Sequence, residues 1–351
     1  MASSESLDYL RAEAFMADAV KGRALASAFE LGLVDNLAAG GPGSVSALRT
    51  RLKCDEKGLR MLLHLLEANE VIVQQDDLVR LTPAFLAALR YRDYLEMKLS
   101  LSSLVLHDLG DHLTALLSGQ AALQSRVRLF NLFSYETCLR DSAESRAAAR
   151  RWMRITTGLT RYEAPAGIDH YDFSAHRRML DIGGNSGEFA RRVCMRHAEI
   201  SATVMDLPVV CRVGAEHLKE TPEAGRVRFL EGNALVDPIP PGFDLISFKS
   251  MLHDWPERET MQFLSRAVEA LEPGGTLLIF ERSPLEVDEA EITFSTLSFL
   301  LFFRSFRDAS WYESRFKALG LTGVATTTLR LDTPFHIITG LKAPAVRPTA
   351  R

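Results

Sequence analysis

The chain has 351 residues, 41 basic against 45 acidic side chains, a formal net charge of −4 and 47% hydrophobic residues. That composition suits a globular protein long enough for two domains, and its acid surplus disfavours a general role on nucleic acid or an anionic membrane. Cys54, Cys138, Cys194 and Cys211 lie too far apart for a C-x-x-C site, so they read as buried thiols in a reducing compartment, with no metal implied. Positions 1–10 are polar and carry Glu5 and Asp8. They lack a signal-peptide pattern, no apolar run approaches the ~20 residues of a membrane span, and the expected address is the cytoplasm.

The first 95 residues read as a helical unit with one hairpin. Asp55 is a plausible N-cap, and Leu59, Leu62, Leu63 and Leu66 keep the spacing of one helix face. Val71-Ile72-Val73, a polar turn at 74–77 and positions 78–81 then predict a β-hairpin, with Thr82-Pro83 opening another helix. Helix, helix, hairpin is a winged-helix pattern. Its recognition helix would carry Asp55, Glu56, Glu67 and Glu70 against Lys57 and Arg60, the wrong sign for a phosphate-facing element, so a packing or dimerisation module is expected instead of DNA contact.

Residues 96–175 read as a mostly helical connector, with one helix over 142–160 that places Trp152, Met153 and Thr157 within about a turn of one another. From 176 to 342 strands and helices alternate. Strands are expected at 179–182, 202–206, 227–230, 243–248 and 276–280, with helices at 186–197 and 257–271, the order of a doubly wound α/β sheet. An aromatic-rich helix at 294–303, an amphipathic helix at 311–319 and two strands at 324–331 and 335–341 follow, the strands pairing antiparallel at the sheet edge. The tail, 343–351, is expected to be disordered.

The chemistry gathers after the strands. Leu180-Asp181-Ile182-Gly183-Gly184-Asn185-Ser186-Gly187 runs a strand into a glycine turn and a helix start, where backbone approaches a ligand and free N–H groups point at it. The spacing is Gly-Gly-x-x-Gly, which weakens a dinucleotide reading. Asp206, at the end of the next strand, can accept hydrogen bonds from both hydroxyls of a ribose. Asn233, in Gly232-Asn233-Ala234, could lie along a base edge, although the triplet alone is an ordinary turn. Lys249 and His253, in the run 248–256, stand beyond the fourth strand, at the mouth of the crevice where open α/β sheets bind ligands. The 294–303 helix, with Leu297 and Leu301, reads either as the apolar wall of a site for a planar acceptor or as plain core.

Taken in order, D-x-G-G-x-x-G at 181–187, M-D-L-P at 205–208, G-N at 232–233, K-x-x-L-H-D-W at 249–255 and L-E-P-G-G-T-L-L-I-F-E at 271–281 resemble the S-adenosylmethionine-dependent small-molecule O-methyltransferases. That family includes plant caffeate-type enzymes and bacterial enzymes that tailor polyketides, phenazines and pyrrole pigments. The resemblance spans nearly the whole chain and implies a Rossmann-like class I methyltransferase sheet behind an N-terminal winged-helix dimerisation domain, working as a homodimer on an aromatic small molecule. It also implies that the Gly183-Gly184 turn holds the methionine part of S-adenosylmethionine and that Asp206, with Leu207 beside it, binds the ribose. Asn233 and Ala234 would flank the adenine, and Lys249 would meet the cofactor's carboxylate or backbone edge.

Thr157 and Met153, with Trp152, match positions that close over cofactor and substrate. His253 matches the catalytic base and Glu281 the carboxylate that orients it. Two positions depart from the pattern: Asn233 stands where the family usually has Asp, and Phe306 falls where a second histidine-supporting glutamate is expected, leaving His253 to Glu281 or to Asp254. C-methylation of a 2-oxo acid, or a related enzyme that has changed its reaction, are the competing readings. A non-enzymatic regulator is disfavoured by the acidic helix.

Overall fold

The computed structural model describes residues 4–119, 126–132, 135–285 and 292–345, so most of the expected tail lies outside the described residues. The chain divides into two compact units, one of Asp8–Leu129 with Glu289–Leu301, the other of Phe130–Asp288 and Phe302–Arg351 with Met1–Leu7. The segment 96–175, expected as one connector, is thus shared between them.

The first unit contains α1 (Ala19–Glu30), α2 (Leu33–Gly40), β1 (Gly43–Ser44), α3 (Val45–Leu52), α4 (Glu56–Ala68), β2 (Ile72–Gln75), β3 (Leu78–Leu81), α5 (Pro83–Ala88) and α6 (Arg92–Leu117). Asp55 caps α4 by accepting the Gly58 N–H at 2.9 Å, and Leu59, Leu62, Leu63 and Leu66 are its buried stripe. Thr82 caps α5 in the same way, just before Pro83. β2 and β3 pair antiparallel, and β1 adds to β3, completing the three-stranded wing. Helix α6 belongs here because Leu95, Leu99, Leu101 and Val105 are buried in this unit. Its buried Lys98 donates to the Ser295 carbonyl at 3.2 Å and lies over the Phe299 ring, tying segment 292–301 to the same unit.

The second unit begins with α7 (Ala143–Ile168), capped by Ser142, and continues through β4 (Arg178–Ile182), α8 (Glu188–Arg196), β5 (Ser201–Asp206), α9 (Pro208–Leu218), β6 (Val227–Glu231), β7 (Phe243–Lys249), α10 (Glu257–Ala270) and β8 (Leu271–Arg282). After α11 (Leu297–Leu300), which lies in the first unit, come α12 (Ala309–Ala318), β9 (Thr322–Arg330) and β10 (Pro334–Leu341). The seven strands lie in the order β6-β5-β4-β7-β8-β10-β9, the first five parallel and the last two antiparallel at the edge. The expected helix at 294–303 is a single 3₁₀ turn and a four-residue α-turn, because the chain unwinds after Leu300.

Both faces of the sheet are covered, which is why its central strands are continuous apolar runs. Met179, Leu245, Leu278 and Phe280 pack on one face with Ala164 and Ile168 of α7 and Phe189 of α8. Leu180, Ile182, Ile246, Leu277 and Ile279 pack on the other with Phe263 and Leu264 of α10 and Tyr312 and Phe316 of α12. The α7 contact is tight: a Cβ at Gly167 would stand 2.6 Å from the Phe280 ring. Gly167→Ala is therefore expected to destabilise this unit by overpacking, by about 1–3 kcal/mol, read as a lowered denaturant midpoint at unchanged slope. The strand order reverses between β4 and β7, so a crevice opens at their carboxyl ends.

Candidate functional site

The reversal brings the glycine turn and the segment after β7 together. Gly183 has φ +68°, and a Cβ there would lie 2.6 Å from Met251 Cγ. Gly184 has no room either, since its Cβ would meet Asp181 Oδ2 at 2.4 Å. The turn is braced from α7: Thr157 Oγ1 donates to Ser186 Oγ at 2.7 Å and Thr156 Oγ1 to Asn185 Oδ1 at 3.0 Å. Thr156 is a partner that sequence reading missed, although it neighbours Thr157.

Asp206 ties the turn to the next strand. Its Oδ2 accepts the Asn185 N–H at 2.9 Å and its Oδ1 the Leu207 N–H at 2.7 Å. Burial pushes this carboxyl up to about 6 even though both backbone bonds favour the anion. Each oxygen keeps a second lone pair, so the carboxylate can also accept from ligand hydroxyls. Beneath the turn, Asp181 is fully buried, accepts the Ser247 hydroxyl at 2.6 Å and is raised to about 7 by burial. Its Oδ2 has no hydrogen-bond partner among the described residues. An acid inside an apolar strand was the sequence signal for it. A glycine cradle over an unpartnered carboxylate oxygen, with a second carboxylate at its rim, fits a ligand carrying both a cationic group and vicinal hydroxyls.

Asn233 lies in a turn: its Oδ1 accepts the Leu235 N–H at 3.0 Å, leaving the amide NH₂ as the group able to meet a base edge. Ala234 is buried against the α10 face. Leu207 is the N-cap residue of α9 and packs with Met153, Val210 and Cys138, so Met153 is part of a core cluster. Trp152, one residue earlier on α7, is half-buried. Leu297 and Leu301 belong to the first unit.

Lys249 forms an ion pair with Glu163 of α7 and donates to Thr160 Oγ1 at 3.1 Å. Arg282 joins the same Glu163 and also Asp332 at 2.8 Å, so two cations and two carboxylates, all buried, clamp α7 onto the ends of β7 and β8. The charges balance, which a buried ionic cluster requires.

His253 sits on a single 3₁₀ turn, Leu252–Asp254. Its Nδ1 lies 2.8 Å from Glu281 Oε1 at the end of β8, and Glu281 is 1% exposed. The same Oε1 accepts the Arg282 N–H at 3.0 Å, fixing the carboxylate. On the other edge, Asp254 Oδ1 is 3.4 Å from Nε2. Phe302 and Phe306 wall the ring at centroid distances of 5.6 and 5.2 Å. Phe306 thus places an apolar ring, not a carboxylate, beside the histidine. Arg307 braces the turn by donating to the Leu252 carbonyl at 2.9 Å and to that of Trp255.

Burial works against a charged imidazole here, but the carboxylates of Glu281 and Asp254 outweigh it and raise His253 above the usual range. Burial would raise Glu281, yet His253 and the Arg282 N–H pull it below the ordinary carboxylate range. The arrangement is a histidine with its tautomer fixed by a buried anion, able to take a proton at Nε2.

Family models match two stretches: an O-methyltransferase domain over residues 123–320 and an O-methyltransferase dimerisation domain over 14–84. Among curated proteins, the chain is 31% identical to the N,N-dimethyltransferase OxyT of Streptomyces rimosus, over 74% of each chain. It is 35% identical to the 3-hydroxy-5-methyl-1-naphthoate 3-O-methyltransferase of Streptomyces sahachiroi, in a stretch that spans 35% of each. Among solved structures, human N-acetylserotonin methyltransferase in complex with SAM superposes with a TM-score of 0.74 at 20% identity, covering 92% of this chain and 94% of that one.

Proposed function

Since this chain belongs to the S-adenosylmethionine-dependent O-methyltransferase family, we propose that it methylates a hydroxyl of an aromatic or heteroaromatic small molecule in natural-product biosynthesis, with His253 as general base. The His253–Glu281 pair carries this reading. When bound, S-adenosylmethionine supplies a sulfonium-activated methyl group. A phenol, of pKa ~10, is mostly protonated at neutral pH and needs its proton removed as it attacks. A neutral amine, the acceptor type that the name of OxyT suggests for that relative, needs no such help before attack. The buried glutamate behind the histidine therefore favours a hydroxyl acceptor here.

In this reading the 183–187 turn holds the methionine part of the cofactor, Asp181 accepts from its ammonium, Asp206 holds the ribose, and Asn233, Ala234 and Leu207 flank the nucleoside. Thr157 acts through the turn, Lys249 through α7, and Met153 and Trp152 border the acceptor side. Asp254 assists His253. The match to a dimerisation domain supports a homodimer, to be checked by light scattering. None of the described helices is long and apolar enough to cross a membrane, and a cytoplasmic enzyme is consistent with that.

Incubation of the purified protein with S-adenosylmethionine and a panel of hydroxylated naphthoates, phenazines and simple phenols tests the reading. The expected products are S-adenosylhomocysteine and an acceptor heavier by one methyl, with the new bond to oxygen by NMR. A methyl found on carbon or nitrogen across the panel would refute it.

A further inference from the structure

Asp254 is held by a residue from a distant part of the chain. The Tyr135 hydroxyl donates to Asp254 Oδ2 at 2.8 Å across a separation of 119 residues. The Tyr135 ring packs against Trp255, the next residue of the same turn, at a centroid distance of 4.9 Å. The other oxygen of that carboxylate, Oδ1, is the one 3.4 Å from His253 Nε2. One carboxylate thus serves the phenol with one oxygen and the imidazole with the other, and a hydrogen bond to an ionised acceptor is among the stronger neutral-donor contacts.

We infer that Tyr135 is a positioning residue for the base: by anchoring Asp254, it keeps a second carboxylate on the Nε2 edge of His253, opposite Glu281. The inference rests on the reading of His253 as the base and adds how its basicity is set. Phe306 leaves one flank of the ring without charge, and Asp254 compensates from another direction only if its rotamer is fixed. A free aspartate on a short turn would spend its time in solvent; side-chain ordering of this kind costs entropy that the tyrosine bond offsets. The other charged groups facing this cluster are Glu281, which also raises His253, and Arg282, which opposes it, while Lys249 acts on Glu281 and Arg307 holds the turn through carbonyls. Desolvation of the hydroxyl, then the Asp254 carboxylate and more weakly Asp206 and Cys138, raise the Tyr135 phenol well above its ordinary value, although the residue as a whole is 37% exposed.

The test is an NMR titration of the imidazole in protein carrying labelled histidine, with the His253 signal assigned by its loss in His253→Asn. An opposite charge within ~4–6 Å moves a pKa by about 1–3 units, so the His253 midpoint is expected to fall by about one unit in Asp254→Asn. It should fall by about half a unit in Tyr135→Phe, and the acid limb of kcat/KM should move the same way. The double variant should match Asp254→Asn alone, because the tyrosine acts only through that carboxylate.

An unmoved midpoint in Tyr135→Phe, or additive shifts in the double variant, would overturn the inference. Labelled tyrosine gives a second readout that needs no change at Tyr135: its phenol should titrate above ~10 in the native protein and drop toward that value in Asp254→Asn. A phenol that stays put would also overturn it. The midpoints require no turnover, so a failure of the base assignment, seen as full activity in a His253 variant, is distinguishable from a failure of this coupling.

Discussion

His253→Ala is expected to lower kcat by about 10²–10⁴-fold, the usual worth of a positioned general base, while S-adenosylhomocysteine binds with unchanged affinity by calorimetry. Activity should survive above background, because alignment of acceptor and donor is worth ~7–11 kcal/mol on its own and does not pass through the imidazole. The pH profile of the native enzyme carries the sign. His253 is raised by Glu281 and Asp254, and only the neutral imidazole accepts a proton, so turnover should climb with pH through a limb above the ordinary ~6.5 of histidine. Glu281→Gln should shift that limb toward acid and still lower kcat, since an amide no longer stabilises the imidazolium or fixes one tautomer. The same raised value has a stability consequence. Charged His253 stabilises the fold fully below ~6.5, and that contribution is lost as pH rises through the folded-state value. A His253→Ala enzyme with native kcat would remove the base assignment.

What could be read from the residues was local or periodic. The Asp55 cap, the leucine stripe of α4 and the hairpin at 72–81 follow from spacing within a dozen residues, and the structure has all three. The glycine turn was legible because φ +68° at Gly183 and the closeness of Met251 demand a residue without Cβ. The partners of the charged groups were not legible. Lys249 and Glu163 are 86 residues apart, Tyr135 and Asp254 are 119 apart, and no periodicity links them. Helix α7 runs on through Pro165 to Ile168, where helix-breaking chemistry argues for a stop. Packing of Ala164 and Ile168 against the sheet outweighs the lost hydrogen bond. The aromatic run at 294–303 failed in the opposite direction: its apolar content suggested a full helix, but Phe294 and Phe299 are buried from a short turn and do not need one.

Asp206→Ala should weaken S-adenosylhomocysteine binding by about 10²–10⁴-fold. Two ribose hydroxyls on one carboxylate are worth ~3–6 kcal/mol at ~1.5–3 each, and every ~1.4 kcal/mol is tenfold in affinity. The variant also releases the Asn185 and Leu207 N–H groups, so the glycine turn loses its acceptor and one of its ties to β5, keeping the Gly183 N–H bond to the Met205 carbonyl at 2.8 Å. Asp206→Asn separates the two effects: its single carbonyl oxygen can keep one backbone bond, while its NH₂ faces a donor, so affinity should fall but less far. Because burial holds Asp206 up to about 6, a pH dependence follows even in the native protein. The anion accepts from the ligand and the neutral acid does so poorly, so affinity should be flat above pH ~7 and about tenfold weaker at pH ~5. The Asn variant has no proton to gain there and should show no such slope. Calorimetry across that range decides it, and an Asp206→Ala protein with native affinity would show that the carboxylate braces the turn and does nothing for the ligand.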